Sequence, residues 1–341
     1  MTNSKTNEMQ EIRQQAIIIP GAQRSGTTTL FDLLSRHTLI SEPTNKETSF
    51  FALREDIVRN HLYEYMNLFN KPDRTKYILD VSTTYFYSRD SIKMIKKYVR
   101  NPKIIFILRD PAKRAYSSYL HMFKKPSNIE KRTFDEILDG IHGYSLNDIQ
   151  SSEKEAIKMA IAYRKIDDSY FSKTFIEEKY NNYLRPKDYN KLWVYEYFQG
   201  SIYSEKVEEY ESEFEGKVKV VFFEQLIQNT VDTIKGLLDF LELQPEERLY
   251  VLPHKNPNFL PKNKLIKKIQ KIGQDNSFFR NLIDVLLRSS MSPHVYYIGN
   301  RLFYSPKLTK EHYFKMRDIF ETEYIYWISK YKYLETLWAY D

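Results

Sequence analysis

Residues 20–30 read PGAQRSGTTTL. Two glycines frame a short loop with an arginine inside it, and three threonines follow. A nucleoside-triphosphate loop has the form GxxxxGK[ST]: backbone N–H groups cradle phosphates, the lysine reaches along the triphosphate tail, and the hydroxyl takes magnesium. Gly21 and Gly26 keep that frame, but Thr27 stands where the lysine belongs. What remains is Arg24 and Ser25 in the loop, several converging backbone amides, and Thr27, Thr28 and Thr29 at a helix start whose dipole favours negative charge.

Such a set suits a single 5′-phosphate or phosphosulfate group, with Arg24 near its bridging oxygen, and it needs no magnesium. A glycine-bounded strand-to-helix turn without a ligand is the plain alternative. A second stretch, ILRDPAKRAYSSY, ends a buried strand on Arg109, starts a helix at Asp110-Pro111 and sets Ser117 two turns along it. An arginine that finishes an apolar strand needs a counter-anion or solvent, and a serine on the following helix can donate to the same anion. A salt bridge from Arg109 to Asp110 or to another acid is the competing reading.

Both loops depend on the elements that carry them. AIIIP (16–20), YILDV (77–81), KIIFIL (103–108) and KVKVVFF (217–223) are short apolar runs of the kind a strand buried on both faces requires. Between them, residues 27–36, 91–100 and 231–241 repeat apolar side chains at helical spacing, and Asp110-Pro111 offers a capping acid followed by the residue best tolerated at a first helical position. Alternating strand and helix predicts an α/β fold with a central parallel sheet flanked by helices, and ligands on such sheets bind at the carboxyl ends of the strands. Both loops lie there.

The rest of the chain narrows the partners. It has 341 residues and is 42% hydrophobic, enough for one elaborated domain over residues 16–341 behind a polar, disordered start at residues 1–15. Residues 124–186 are polar and read as a helical insertion or lid, and residues 262–341 as a C-terminal helical region. No apolar run reaches the roughly 18 residues that cross a bilayer. The basic stretch KNKLIKKIQKIGQ is read as a packing helix in preference to one lying on a membrane. With no cysteine, disulfides and thiolate chemistry are excluded and a reducing cytoplasm is the expected compartment; no metal site is expected, because the seven histidines show no ligand spacing. A net charge of +7 favours an anionic partner.

Taken together, GAQRSGTTTL, KETSFF, DVSTTYF and ILRDPAKRAYSSYLH resemble the sulfotransferases that use 3′-phosphoadenosine 5′-phosphosulfate (PAPS), in the branch of the heparan sulfate and carbohydrate enzymes and their bacterial relatives. The likeness is specific over residues 16–122 and looser beyond. It implies the P-loop nucleotide-kinase-like sulfotransferase fold and PAPS as donor, with 3′-phosphoadenosine 5′-phosphate (PAP) as product. Arg24 stands where the family touches the transferring sulfuryl group, Ser25, Gly26, Thr27, Thr28 and Thr29 form the 5′ cradle, and Arg109 and Ser117 match the 3′-phosphate pair. Glu47 matches the general base.

Sulfuryl transfer is an in-line displacement, so it needs a base for the acceptor proton and cations for the departing phosphate oxygen. The acceptor implied is a carbohydrate or glycoconjugate hydroxyl, with an amine as the second choice; a lipid, a polyketide and a small metabolite stay open. Two positions depart from the family pattern: Ser49, where many members have His or Gln, and Val81, where the glycosaminoglycan enzymes have a lysine. Lys255 and Lys262, in a late loop that closes over the cofactor in relatives, are candidates for the missing charge. Readings of another class are a P-loop kinase or NTPase, for which Asp80 is the one acid placed to hold magnesium, and a non-catalytic nucleotide-binding protein.

Overall fold

The apolar runs become interior strands. In the computed structural model, which describes residues 11–70, 74–123, 132–139, 197–252, 260–261, 303–304 and 306–340, five strands pair in parallel. They are β1 (Gln15–Gly21), β2 (Ile40–Ser41), β3 (Tyr77–Val81), β4 (Pro102–Leu108) and β5 (Val218–Phe222), in the spatial order β2-β3-β1-β4-β5. Successive side chains leave a strand on opposite faces. Ala16, Ile18, Ile78, Ile104 and Phe106 enter one apolar cluster, and Ile17, Ile19, Leu79, Val81, Ile105 and Ile107 enter the other. Both faces are covered, which is why these strands read as unbroken apolar text.

The helices are α1 (Thr27–Leu34), α2 (Glu55–Asn60), α3 (Leu62–Met66), α4 (Thr84–Tyr87), α5 (Arg89–Tyr98), α6 (Pro111–Phe123), α7 (Phe134–Asp139), α8 (Ser204–Glu213), α9 (Phe223–Gln228), α10 (Thr230–Leu241), α11 (Lys310–Ile319), α12 (Glu321–Lys330) and α13 (Leu334–Leu337). α1 and α10 cover one face of the sheet with Leu30, Leu33, Leu34, Ile234, Leu237, Leu238 and Leu241. Most of the others pack on the opposite face, where Trp327 and Trp338 are fully buried. Burying a side chain of this kind contributes about 1.5–3 kcal/mol, so the two clusters fix the sheet and the loops at its edge.

Asp110 caps α6 as its sequence position predicts: Lys113 N donates to Asp110 Oδ1 at 3.0 Å. The start of the chain differs from expectation at residues 11–15. They are tied to the sheet region instead of frayed, with Ile12 only 1% exposed and its N–H donating to Tyr98 O at 2.7 Å. Of the region 124–186, the described residues hold α7, which comes from the stretch TFDEILDGI; the remainder of that insertion lies outside the described residues. Leu260–Pro261 and Phe303–Tyr304 form a short antiparallel pair. Among the described residues no helix is long and apolar enough to cross a membrane.

Candidate active site

β1 ends beside β4, and that adjacency builds the first half of the site. Ala22 N donates to Ile107 O at 2.8 Å, so the loop leaves the sheet next to the strand that delivers Arg109. Gly26 closes the loop at φ +94°, and a Cβ added there would lie 2.4 Å from the Phe223 ring. Only glycine fits. Gly26 is also the N-cap of α1, and no side chain caps that helix, which leaves its first-turn N–H groups for a ligand. Thr27 is buried, Thr29 half-buried and Thr28 exposed, and Ser25 is buried within the loop.

The two stretches singled out in the sequence, eighty-odd residues apart, meet in space. Arg24 Nε donates to Ser117 Oγ at 3.3 Å, and an Arg109 guanidinium nitrogen donates to the Arg24 carbonyl oxygen at 3.3 Å. Arg109 lies over the Phe223 ring at 5.1 Å, so one aromatic side chain backs both Gly26 and Arg109. A third guanidinium, that of the fully buried Arg114, donates from Nε to Gln23 O at 2.9 Å and from its other nitrogens to Tyr197 O and the Tyr87 hydroxyl, each at 3.0 Å. Burial, followed by repulsion from Arg109 and Arg114, brings Arg24 down to about 10. Arg24 remains charged at neutral pH, within a cluster of like charges that an anion would relieve.

Behind this cluster stand two acids. Of the ion pairs weighed from sequence for Arg109, the one to Asp110 does not form and the one to another acid does, with Glu224. Asp110 is buried and accepts from Tyr313 OH at 2.9 Å and Tyr324 OH at 2.8 Å. Arg109 instead faces Glu224, whose Oε1 lies 3.8 Å from a buried Arg109 Nε, beyond hydrogen-bond range. Burial pushes the Glu224 carboxyl up while Arg109 pulls it down. Glu224 Oε2 accepts from Trp338 Nε1 at 3.2 Å, and Lys113 Nζ donates to Ala339 O at 3.0 Å. The last helical segment is therefore fastened to the back of the site.

The second half of the site lies at the end of β3. Glu47 N donates to Val81 O at 3.1 Å, and the Glu47 carboxylate is held from two sides. Oε2 accepts from Thr83 N at 2.7 Å and from Thr83 Oγ1 at 3.1 Å, while Lys46 Nζ sits 2.5 Å from Oε1. The side chain keeps 28% of its surface exposed, so solvent or a substrate can reach it. Ser82 N donates to Ile19 O at 3.2 Å, binding this corner to the strand that leads into the phosphate loop. Val81, where a lysine was expected from the family pattern, is fully buried in the apolar cluster beneath α1 and α10 and does not face the corner. The cation beside Glu47 is Lys46. Lys255 and Lys262 lie outside the described residues.

Three contributors were passed over in the sequence. Lys46 immediately precedes Glu47. Arg114 falls three residues before Ser117, one helical turn away on α6, within the very stretch that carries Arg109 and Ser117. Phe223 opens α9 right after β5, the strand beyond β4, and gave no local signal. Asp80, the one acid considered for magnesium, is 0% exposed and surrounded by hydroxyl groups, which takes away the kinase reading's metal ligand.

The residues present fit a nucleotide bearing phosphate groups: an uncapped helix start, a glycine cradle that a Cβ would fill, and crowded guanidinium groups. The fold and this corner give an α/β protein with clustered guanidinium groups at the carboxyl edge of its sheet. The family model described as "Sulfotransferase domain" matches residues 14–283, and the chain belongs to that family of sulfotransferase enzymes, which bind a nucleotide donor and an acceptor. Among curated proteins, it is 34% identical over 120 residues to the human bifunctional heparan sulfate N-deacetylase/N-sulfotransferase 3, covering 32% of this chain and 13% of that protein. It is 32% identical over 128 residues to the Caenorhabditis elegans bifunctional heparan sulfate N-deacetylase/N-sulfotransferase 1, covering 36% and 15%. This chain thus spans about a seventh of the length of these relatives. A sulfotransferase structure from Alicyclobacillus acidocaldarius superimposes with TM-score 0.48 at 19% identity, covering 82% of this chain and 98% of that one.

Proposed function

We propose that the protein transfers a sulfuryl group from PAPS to a hydroxyl of a carbohydrate or glycoconjugate, with Glu47 as general base. The observation that carries the reading is the contact between Arg24, of the phosphate loop, and Ser117, of the second element, with Arg109 alongside. Two phosphate-binding elements in one cationic pocket match a donor phosphorylated at both 5′ and 3′ positions, whereas a triphosphate would want the cation that Thr27 has replaced. The donor supplies the activated sulfuryl group. Arg24 and the first-turn amides of α1 stabilise charge on the departing phosphate oxygen, Arg109 and Ser117 hold the 3′-phosphate, and Glu47 takes the acceptor proton.

The carbohydrate acceptor is supported by the two relatives, whose names specify heparan sulfate, and the "N-sulfotransferase" in those names keeps an amino-sugar amine as a second acceptor. A cytoplasmic location rests on the absence of cysteine alone. Calorimetry tests the donor first: PAP should bind more tightly than ATP with magnesium, and Arg109→Ala should weaken PAP. Preference for ATP with magnesium would sink the reading. Sulfate incorporation into unsulfated heparosan, before and after chemical removal of its N-acetyl groups, then separates hydroxyl from amine transfer.

A further inference from the structure

Two residues flanking Thr48 sit in a conformation that side chains other than glycine rarely adopt. Glu47 has φ +66° and Ser49 φ +56°. Each costs on the order of 1–3 kcal/mol and persists only where its surroundings over-determine it. What over-determines this corner lies beneath it. Asp80, on β3, is fully buried, and its Oδ2 accepts from Thr48 Oγ1 at 2.8 Å, Tyr65 OH at 2.9 Å and Tyr85 OH at 2.7 Å, while Oδ1 accepts from Ser82 Oγ at 2.7 Å. Ser82 Oγ in turn accepts from Ser49 N at 3.0 Å, and Phe51 N donates to Tyr85 OH at 3.3 Å.

A carboxylate withdrawn from water is costly unless donors replace its hydration, and here four hydroxyl groups do so. Their positions in the chain matter more than their number. Thr48 adjoins Glu47, and Ser82 adjoins Thr83, whose N–H and hydroxyl grip the Glu47 carboxylate. One buried acid therefore holds both jaws of the clamp on the exposed one. Tyr65 and Tyr85 fix the acid itself from α3 and α4.

We propose that Asp80 is the positioning residue for the general base, locking Thr48 and Ser82 so that Glu47 is presented at one fixed angle at the end of β3. Asp80 does not touch substrate, and the proposal rests on the reading of Glu47 as the base. Its role would be to keep the strained Glu47-Thr48-Ser49 turn in place through the catalytic cycle, where a displacement of about 1 Å can cost roughly 100-fold in rate.

The test uses the full chain labelled with 15N-threonine, with and without PAP, because the Thr83 N–H reports on Glu47 directly. In the wild type the Thr83 amide signal should lie at the low-field position of an N–H held by a carboxylate, and it should move upfield in Glu47→Gln. In Thr48→Val and in Asp80→Asn the Thr83 signal should make the same upfield move while PAP affinity stays unchanged; Thr48→Ser, which keeps the hydroxyl, should restore the wild-type position. Turnover should follow, with kcat lowered roughly 10- to 100-fold in Thr48→Val and the donor KM unaltered. Should Asp80→Asn fail to fold, the two Thr48 variants decide the matter.

A Thr83 signal at its wild-type position in Thr48→Val, or an unchanged kcat, would overturn the proposal. Failure of the underlying reading looks different: Glu47→Gln would then turn over at the wild-type rate, whatever the Thr83 signal does.

Discussion

At the ends of β1 and β4, three guanidinium groups crowd one loop, and Arg109 and Arg114 join burial in depressing Arg24 to about 10. At the end of β3, the buried carboxylate of Asp80 takes hydrogen bonds from four uncharged hydroxyls. The first corner stores repulsion that an arriving anion relieves; the second has its hydrogen bonds already made within the protein. Electrostatic response is thus concentrated where like charges crowd, and geometric control where a buried carboxylate is held by hydroxyl donors. One corner should respond to ligand, salt and pH, and the other to the loss of any of its hydroxyls.

The division is broken most severely by removing the base. Glu47→Gln should lower kcat by about 10²–10⁴-fold, the range that general-base catalysis contributes, with PAP affinity unaltered by calorimetry. A parallel loss of PAP affinity would show the two corners to be one. Next in size, Arg109→Ala should raise the Kd for PAP roughly 100-fold, about 3 kcal/mol, for the loss of charge-assisted hydrogen bonds.

Gly26→Ala should come third. It forces a Cβ against Phe223 at a φ of +94°, and thermal unfolding should show a loss on the order of 1–3 kcal/mol together with weaker PAP binding. The mildest effect is one of pH. Arg24 titrates near 10 in the free protein, and a bound anion favours its charged form, so PAP affinity should hold level through neutrality and fall as pH rises past that value. Isothermal titration from pH 7 upward would show it, and the Asp80 corner should contribute nothing to the slope.

Much of the first corner could be read from residue types. GAQRSGTTTL and ILRDPAKRAYSSY are continuous in sequence, and each places its polar groups within a strand-to-helix turn whose geometry is local. The parallel sheet was equally legible, because strands buried on both faces must be unbroken apolar runs. Of the second corner only Glu47 was legible, through the family resemblance; the support beneath it was not. Thr48, Tyr65, Asp80, Ser82 and Tyr85 are scattered over 38 positions, and only folding brings them onto one carboxylate. Asp80 read as a possible metal acid because its neighbours in sequence say nothing about the tyrosines above it. Likewise the partner of Arg109 proved to be Glu224, 115 residues further on, in preference to the adjacent Asp110. Val81 turns toward the opposite core by alternation along β3, so that position offers no charge to the corner.

The fastening of the last helical segment gives the protein a built-in gauge. Trp338 donates its indole N–H to Glu224, and Glu224 faces Arg109. If Arg109 turns toward a donor phosphate as proposed, the field across that indole changes, and its emission should change with it. Donor occupancy would then be readable by intrinsic fluorescence without a label, and Trp338→Phe would silence the signal.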